Sequence, residues 1–290
     1  MILNFSTPRP GDAQRVRELT TTARVSDLSF GNLFLLRHHY ETRIAFADGF
    51  LFRRYNAGRL VGFGCPCGTG DLNLALRRIE EEFPKEERPA LLLVTDAQLG
   101  QIRAARPDAF TVITDPGDFD YLYRRDDLAE FSGAAFQAKR NHLNRFVSDH
   151  PDWRFAPLST ANASEAMNVV DAWFVGQGSP AELTHEREAI HEALGMLTEL
   201  GLVGGVVYVG DRPVAMSVAS YISPEVADIH YEKCVPDCRE AYPVICREMA
   251  RRLTSRFINR EEDVNVAGLR KSKLSYHPCE LVVKHRLFWR

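Results

Sequence analysis

From Trp153 onward the hydrophobic period switches between two and 3.6 in a fixed order, and few folds accommodate that order. Trp153–Leu158 alternates and reads as a strand. Helical spacing follows over Asn162–Val175 and again over Thr184–Leu200, with Thr184 as the second cap. Three strands then meander: Val203–Val209, Val214–Ile222 and Ala227–Cys234. The segments between them, Gly210-Asp211-Arg212-Pro213 and Ser223-Pro224-Glu225, carry turn-forming residues. Pro243 stands where a first helical residue belongs, and Val244–Phe257 continues that helix. Val264–Ala267 reads as a short strand, and Gly268–Tyr276 as a short helix stopped by His277-Pro278. Glu280–Phe288 is the last strand. The order is β-α-α-β-β-β-α-β-α-β.

The preceding residues mix helices and strands. Helices are expected over Asp12–Ala23, Ser26–Tyr40, Asp71–Phe83 and Ala97–Ala105. Strands are expected over Arg43–Phe46, Phe50–Arg53, Leu60–Gly64, Ala90–Val94 and Phe110–Ile113, with Asp118–Tyr123 extending the same sheet. Leu128–His150 reads as one basic helix. A 290-residue chain suits two domains of ordinary size. The expected division is 1–127, a basic linker helix over 128–152, and 153–290.

Composition bounds the function. With 45% apolar and 26% charged residues, each half can bury a core. The net charge of −3 gives no global field for nucleic acid. From Pro243 to Arg290, however, eleven Lys/Arg face five Asp/Glu, and such a basic face suits a phosphate-bearing partner. A solvated helix face would have the same composition. No apolar run approaches the ~20 residues that span a bilayer. The N-terminal Met1-Ile2-Leu3-Asn4-Phe5 lacks the basic start of a secretory signal, so a cytoplasmic protein is expected. The six cysteines show C-x-C and C-x₃-C spacings, not paired C-x₂-C, and no metal is expected.

The order from Trp153 onward is that of the N-acetyltransferase-like (GNAT) fold, in which the sheet splits after its fourth strand and the acyl donor lies in the split. Several segments also resemble a known family. They are Ser26–Phe34, Asp120-Tyr121-Leu122-Tyr123, Phe131-Ser132-Gly133, Lys139–Phe146, Ile229–Lys233, Tyr242-Pro243, Phe257–Asp263 and Gly268–Pro278. Together they resemble DUF2156, a family similar to the C-terminal catalytic part of phosphatidylglycerol lysyltransferase. The resemblance implies an α/β fold of two tandem GNAT-like domains, as in Fem-type aminoacyltransferases. It implies transfer of an aminoacyl group from aminoacyl-tRNA to an amine or hydroxyl acceptor, a small molecule or a lipid head group, with no cofactor required. The membrane-embedded flippase region of the lipid-modifying enzymes is not matched here, which argues against a lipid acceptor.

Acetyl-CoA enzymes of this fold hold pyrophosphate on a glycine-rich loop before the helix that follows the fourth strand. Here that loop, Pro236–Pro243, has no glycine and two acids, which disfavours acyl-CoA as co-substrate. Glu232, Lys233 and Tyr231 end the fourth strand and are the candidate catalytic residues. Alternation puts His230 and Glu232 on one face, Tyr231 and Lys233 on the other. Glu232 suits a general base or an ammonium partner, Lys233 an oxyanion or phosphate partner. A structural ion pair at the sheet would need the same residues. Arg270, Lys271 and Lys273, with Tyr276, form a candidate phosphate-binding patch, joined by Arg140 from the basic helix and by Asn259. The acids Glu261-Glu262-Asp263 could hold a cation or pair with the basic helix. Three functions remain open: an aminoacyl-tRNA-dependent transferase, an acyl-CoA-dependent acyltransferase, and a non-catalytic binding module.

Overall fold

The computed structural model describes residues 3–82, 90–177 and 181–290. The N-terminal part runs α1 (Ala13–Leu19), α2 (Phe30–Leu35), β1 (Arg43–Ala47), β2 (Phe50–Ala57), β3 (Leu60–Gly64), β4 (Cys67–Gly68), α3 (Leu72–Glu82), β5 (Leu91–Thr95), α4 (Asp96–Ala105), β6 (Phe110–Thr114) and β7 (Asp120–Arg124). Two helices, α5 (Arg125–Glu130) and α6 (Gln137–Asp149), follow. The C-terminal part runs β8 (Trp153–Pro157), α7 (Ala163–Gly176), α8 (Ala181–Gly195), α9 (Leu197–Leu200), β9 (Val203–Val209), β10 (Arg212–Ser223), β11 (Val226–Cys234), α10 (Tyr242–Arg252), β12 (Phe257–Asn259), α11 (Ala267–Leu274), β13 (Glu280–Val282) and β14 (Lys284–Trp289).

The order expected from Trp153 is present, with local corrections. The fifth strand is Phe257–Asn259, not Val264–Ala267, because Val264 and Asn265 take left-handed φ angles of 46° and 63° that no strand accommodates. Thr184 lies inside α8 rather than capping it. Phe83, expected to end α3, lies outside the described residues. The basic helix is broken in two: Phe131 adopts φ 49° at the end of α5, and Gly133 adopts φ 80° before α6 begins.

The two sheets exchange strands. One sheet has the order β1-β2-β3-β5-β14-β6, with β4 paired to β2; the other has the order β13-β7-β12-β11-β10-β9-β8. Thus β7, expected to extend the first sheet, lies in the second between β12 and β13. The last strand, expected in the second sheet, divides: Glu280–Val282 stays there, and Lys284–Trp289 crosses to the first sheet between β5 and β6. A boundary at 127 therefore separates neither sheet cleanly.

A buried charged hub sits at the crossing. Lys284, fully buried, donates to Asp120 Oδ1 at 2.7 Å and to Glu262, and lies 3.8 Å from Asp27. Arg53, also buried, donates to Asp27 and to the Cys65 carbonyl. Burial pushes the Asp120 carboxyl up to about 6, against the pull of Lys284. Burial opposes ionisation of Glu262 too, but Lys284 and Arg59 hold it down to about 2. Strand exchange thus brings cations from one sheet to acids of the other. Much of the basic C-terminal stretch is used internally: Lys284 here, and Arg286 in a bidentate pair with Asp118.

Candidate active site

The second sheet opens at one joint. β11 and β12 run parallel, with Val226, Ala227 and Asp228 opposite Phe257, Ile258 and Asn259. There the β12 ladder stops, while β11 continues to Cys234. A cleft of about 810 Å³ lies beside the unpaired stretch, lined by Ile229–Lys233 on one side and Arg260–Glu262 on the other. Lys139, His142 and Arg145 of α6, Trp173, Glu186, Arg239, Glu240, Tyr242, Pro243, Leu269, Ser272, Lys273 and Tyr276 complete its walls.

The expected alternation along β11 fails at one residue. Val218 faces Tyr231 and Ala219 faces Ile229, so the register slips at His230, which forms a bulge. Glu232 then points to Arg260 and accepts from its Nη2 at Oε1, 2.7 Å away, while His230 Nε2 lies 2.8 Å from Ser220 Oγ. The two residues do not share a face. Gly31 of α2 makes room for this bulge: a Cβ there would stand 2.4 Å from His230 Nε2 and 2.6 Å from Ser220 Oγ.

Of the sequence candidates, five line the cleft: Tyr231, Glu232, Lys233, Lys273 and Tyr276. Lys233 donates to Glu186 at 2.8 Å and lies 3.6 Å over the Trp173 ring. Burial lowers its pKa, against Glu186. Burial raises that of Glu232, against Arg260. Among the described residues, the buried Tyr231 hydroxyl has no hydrogen-bond partner. Lys273, whose ammonium donates to the carbonyls of Arg260 and Glu262, is lowered to about 8 by burial.

The other four candidates lie elsewhere. Arg140 donates to the carbonyls of Phe131 and Gly133 and fastens the break between α5 and α6. Asn259 is buried and bridges the Arg24 carbonyl, Asp120 and the Glu261 amide. Arg270 makes a bidentate pair with Asp263, at 2.7 and 2.9 Å. Lys271 is exposed on the far side of α11 from Lys273.

Sequence reasoning left out Arg260, which locks Glu232, and Lys139, which lies 3.5 Å over the Tyr276 ring and is lowered to about 8 by burial. The motif Phe257–Asp263 and the basic helix contained both, but nothing in their spacing distinguishes them from Arg140 or Asn259.

A family model described as phosphatidylglycerol lysyltransferase, C-terminal, matches residues 20–286. The chain belongs to that family. A conserved protein of unknown function from Bacteroides thetaiotaomicron is 33% identical, with a TM-score of 0.94 and full coverage of both chains. L-PGS of Bacillus licheniformis superposes with a TM-score of 0.68 at 13% identity, covering 98% of this chain and 93% of that one. FemX does so with a TM-score of 0.57 at 9% identity, covering 99% and 98%. These likenesses show the fold. An uncharacterised protein of Mycoplasmoides gallisepticum is 23% identical over 171 residues, 58% of this chain and 55% of that protein. The chain thus matches about half the length of that curated relative. Among the described residues, no helix is long and apolar enough to cross a membrane.

Proposed function

We propose that this protein is an aminoacyltransferase that takes its aminoacyl group from aminoacyl-tRNA in the cleft between β11 and β12. The observation that carries this is the lining of the cleft. Lys139, Arg145, Arg239 and Lys273 gather, with the acids Glu186, Glu240, Glu261 and Glu262, around a space of about 810 Å³ that also presents the Glu232–Arg260 pair. The cations suit the phosphates of a tRNA 3′ end, and Glu232, held at one oxygen by Arg260, suits the donor's α-ammonium group. Membership of the phosphatidylglycerol lysyltransferase C-terminal family supports the same reading.

The acceptor's amine or hydroxyl attacks the ester carbonyl, the new C–N or C–O bond forms, and the ester C–O bond to the terminal ribose breaks. The acceptor's proton passes to the departing ribose oxygen. Lys139, lowered to about 8 by burial and so mostly protonated near neutrality, gives a proton to the departing ribose oxygen and takes the acceptor's proton in return. Lys273 and Arg260 stabilise the oxyanion. No covalent enzyme intermediate is needed, so catalysis rests on positioning and charge. The acceptor is an amine or hydroxyl compound, small or lipid.

The test is incubation with total aminoacylated tRNA carrying labelled amino acids, with extracts fractionated into lipid and water-soluble acceptors. Transfer of label is expected, with a loss of about 100-fold or more in Glu232→Gln. Stabilisation by acyl-CoA without any tRNA binding at low salt would replace this reading with an acyl-CoA enzyme. Ligand binding with no transfer, weakened in affinity by Glu232→Gln, would leave a binding module.

A further inference from the structure

We propose that Asp228, His230 and Glu261 form a binding site for one divalent transition-metal cation, Zn²⁺ or Mn²⁺, at the floor of the cleft. The three residues come from separated positions: Asp228 closes the paired part of β11, His230 is the bulge, and Glu261 follows β12. Their donor atoms lie within 4.8 Å of one another. His230 Nδ1 is 3.3 Å from Glu261 Oε1 and 3.5 Å from Asp228 Oδ2. Donor atoms about 2.0–2.2 Å from a tetrahedral ion stand about 3.3–3.6 Å apart, so both separations match the edge of a coordination tetrahedron.

Asp228 is the residue that asks for a cation. It is fully buried, and among the described residues neither carboxylate oxygen has a partner in full hydrogen-bond geometry, the Ser29 hydroxyl being the polar group that acts on it. Such a group is costly unless a charge compensates it. Of the nearby cations, Lys284 is paired with Asp120 and Glu262, Arg53 with Asp27 and Arg260 with Glu232, while Lys273 donates to the Arg260 and Glu262 carbonyls.

The surroundings have the form of a second coordination shell. His230 Nε2 is fixed by Ser220 Oγ at 2.8 Å, which is 3.0 Å from Ser29 Oγ, so Nδ1 is left to face the acids. Asn32 Nδ2 donates to Glu261 Oε1 at 3.1 Å, and the Glu261 amide donates to Asn259 Oδ1 at 2.7 Å. Imidazole nitrogen with two carboxylates suits Zn²⁺ or Mn²⁺ better than a purely hard ion. His230 and Glu261 line the cleft and Asp228 sits behind them. A bound ion would therefore keep a coordination position open to whatever occupies the cleft. The site stands on its own geometry, independent of the transfer reading.

The test is calorimetric titration of the chelator-stripped full chain with Zn²⁺ alone and Mn²⁺ alone, with no acyl substrate. One site per chain is expected, with a Kd on the order of micromolar or tighter for at least one ion. Asp228→Asn and His230→Gln should each weaken it by about 100-fold, and Lys271→Ala should leave it unchanged. Asp228→Asn keeps the shape of the side chain, and its thermal melt in chelator checks that it folds. Should a variant fail to fold, Glu261→Gln gives the same comparison from the cleft side. Absence of saturable binding of either ion to the wild-type chain overturns the proposal. So does binding by folded Asp228→Asn and His230→Gln as tight as wild type.

Discussion

Both sheets contain a short parallel joint, and the two joints have opposite fates. In the first sheet Phe63 and Gly64 of β3 pair with Leu91 and Leu92 of β5. Arg53 packs over the end of β3, where a Cβ on Gly64 would stand 2.7 Å from its guanidinium carbon, and it donates to the Cys65 carbonyl and Asp27. The space bordered by Asp27, Tyr55 and Leu93 is about 20 Å³. In the second sheet the β11–β12 joint opens into about 810 Å³ lined with charge. The same strand arrangement is sealed by side chains in one sheet and left accessible in the other. Buried charge at the first joint is sealed within the fold, whereas the paired charge at the second borders open space.

The comparison breaks first if the hub is not structural. Lys284→Met should cost about 3–5 kcal/mol of stability in denaturant unfolding, because Asp120 and Glu262 lose their buried partner. A loss below about 1 kcal/mol would mean that the crossing does not depend on its charges. Next, Gly31→Ala places a methyl group against His230 and Ser220. It should destabilise by about 1–3 kcal/mol and weaken any ligand of the cleft floor.

The third effect is a pH dependence confined to the open joint. Lys139 and Lys273 have pKa values lowered by burial to about 8 in the folded chain. They are protonated at pH 7 and largely neutral at pH 9, so pyrophosphate or tRNA should bind roughly tenfold more weakly at pH 9. The unfolded chain holds those protons up to about 10.4. Between about 8 and that value the unfolded state binds more protons, so these two groups make stability rise with pH. Anion affinity that stays flat to pH 10 would sever the cleft from these lysines. The smallest effect is expected at Lys271→Ala: stability within about 0.5 kcal/mol and unchanged pyrophosphate affinity, because the side chain is exposed and away from the cleft.

The element order from Trp153 was legible because turn chemistry and period mark each strand locally. The strand exchange was not, because Lys284–Trp289 reads as a strand whichever sheet receives it. Only the pairing of Lys284 with Asp120 discloses the crossing. The β11 bulge was hidden for a related reason: alternation in a sequence assumes an unbroken ladder, and the slip at His230 depends on its partner β10. Among the site residues, charge named the right segments without saying which way each side chain points. Lys273 and Arg270 are three apart on α11, yet one reaches the cleft and the other is taken by Asp263. The buried acid Asp228 attracted no notice, since nothing local in Ala227-Asp228-Ile229 shows that its oxygens lack a partner in full hydrogen-bond geometry.

Hydrogen exchange, followed peptide by peptide with and without a hydrolysis-resistant 3′-aminoacylamido-adenosine carried on a tRNA minihelix, tests the central claim most directly. Protection is expected over 229–234, 260–262, 269–276 and 139–145, with 50–68 and 91–95 unchanged. Protection centred on the first sheet, or none in the segments that border the β11–β12 cleft, would contradict the assignment of that cleft as the donor site.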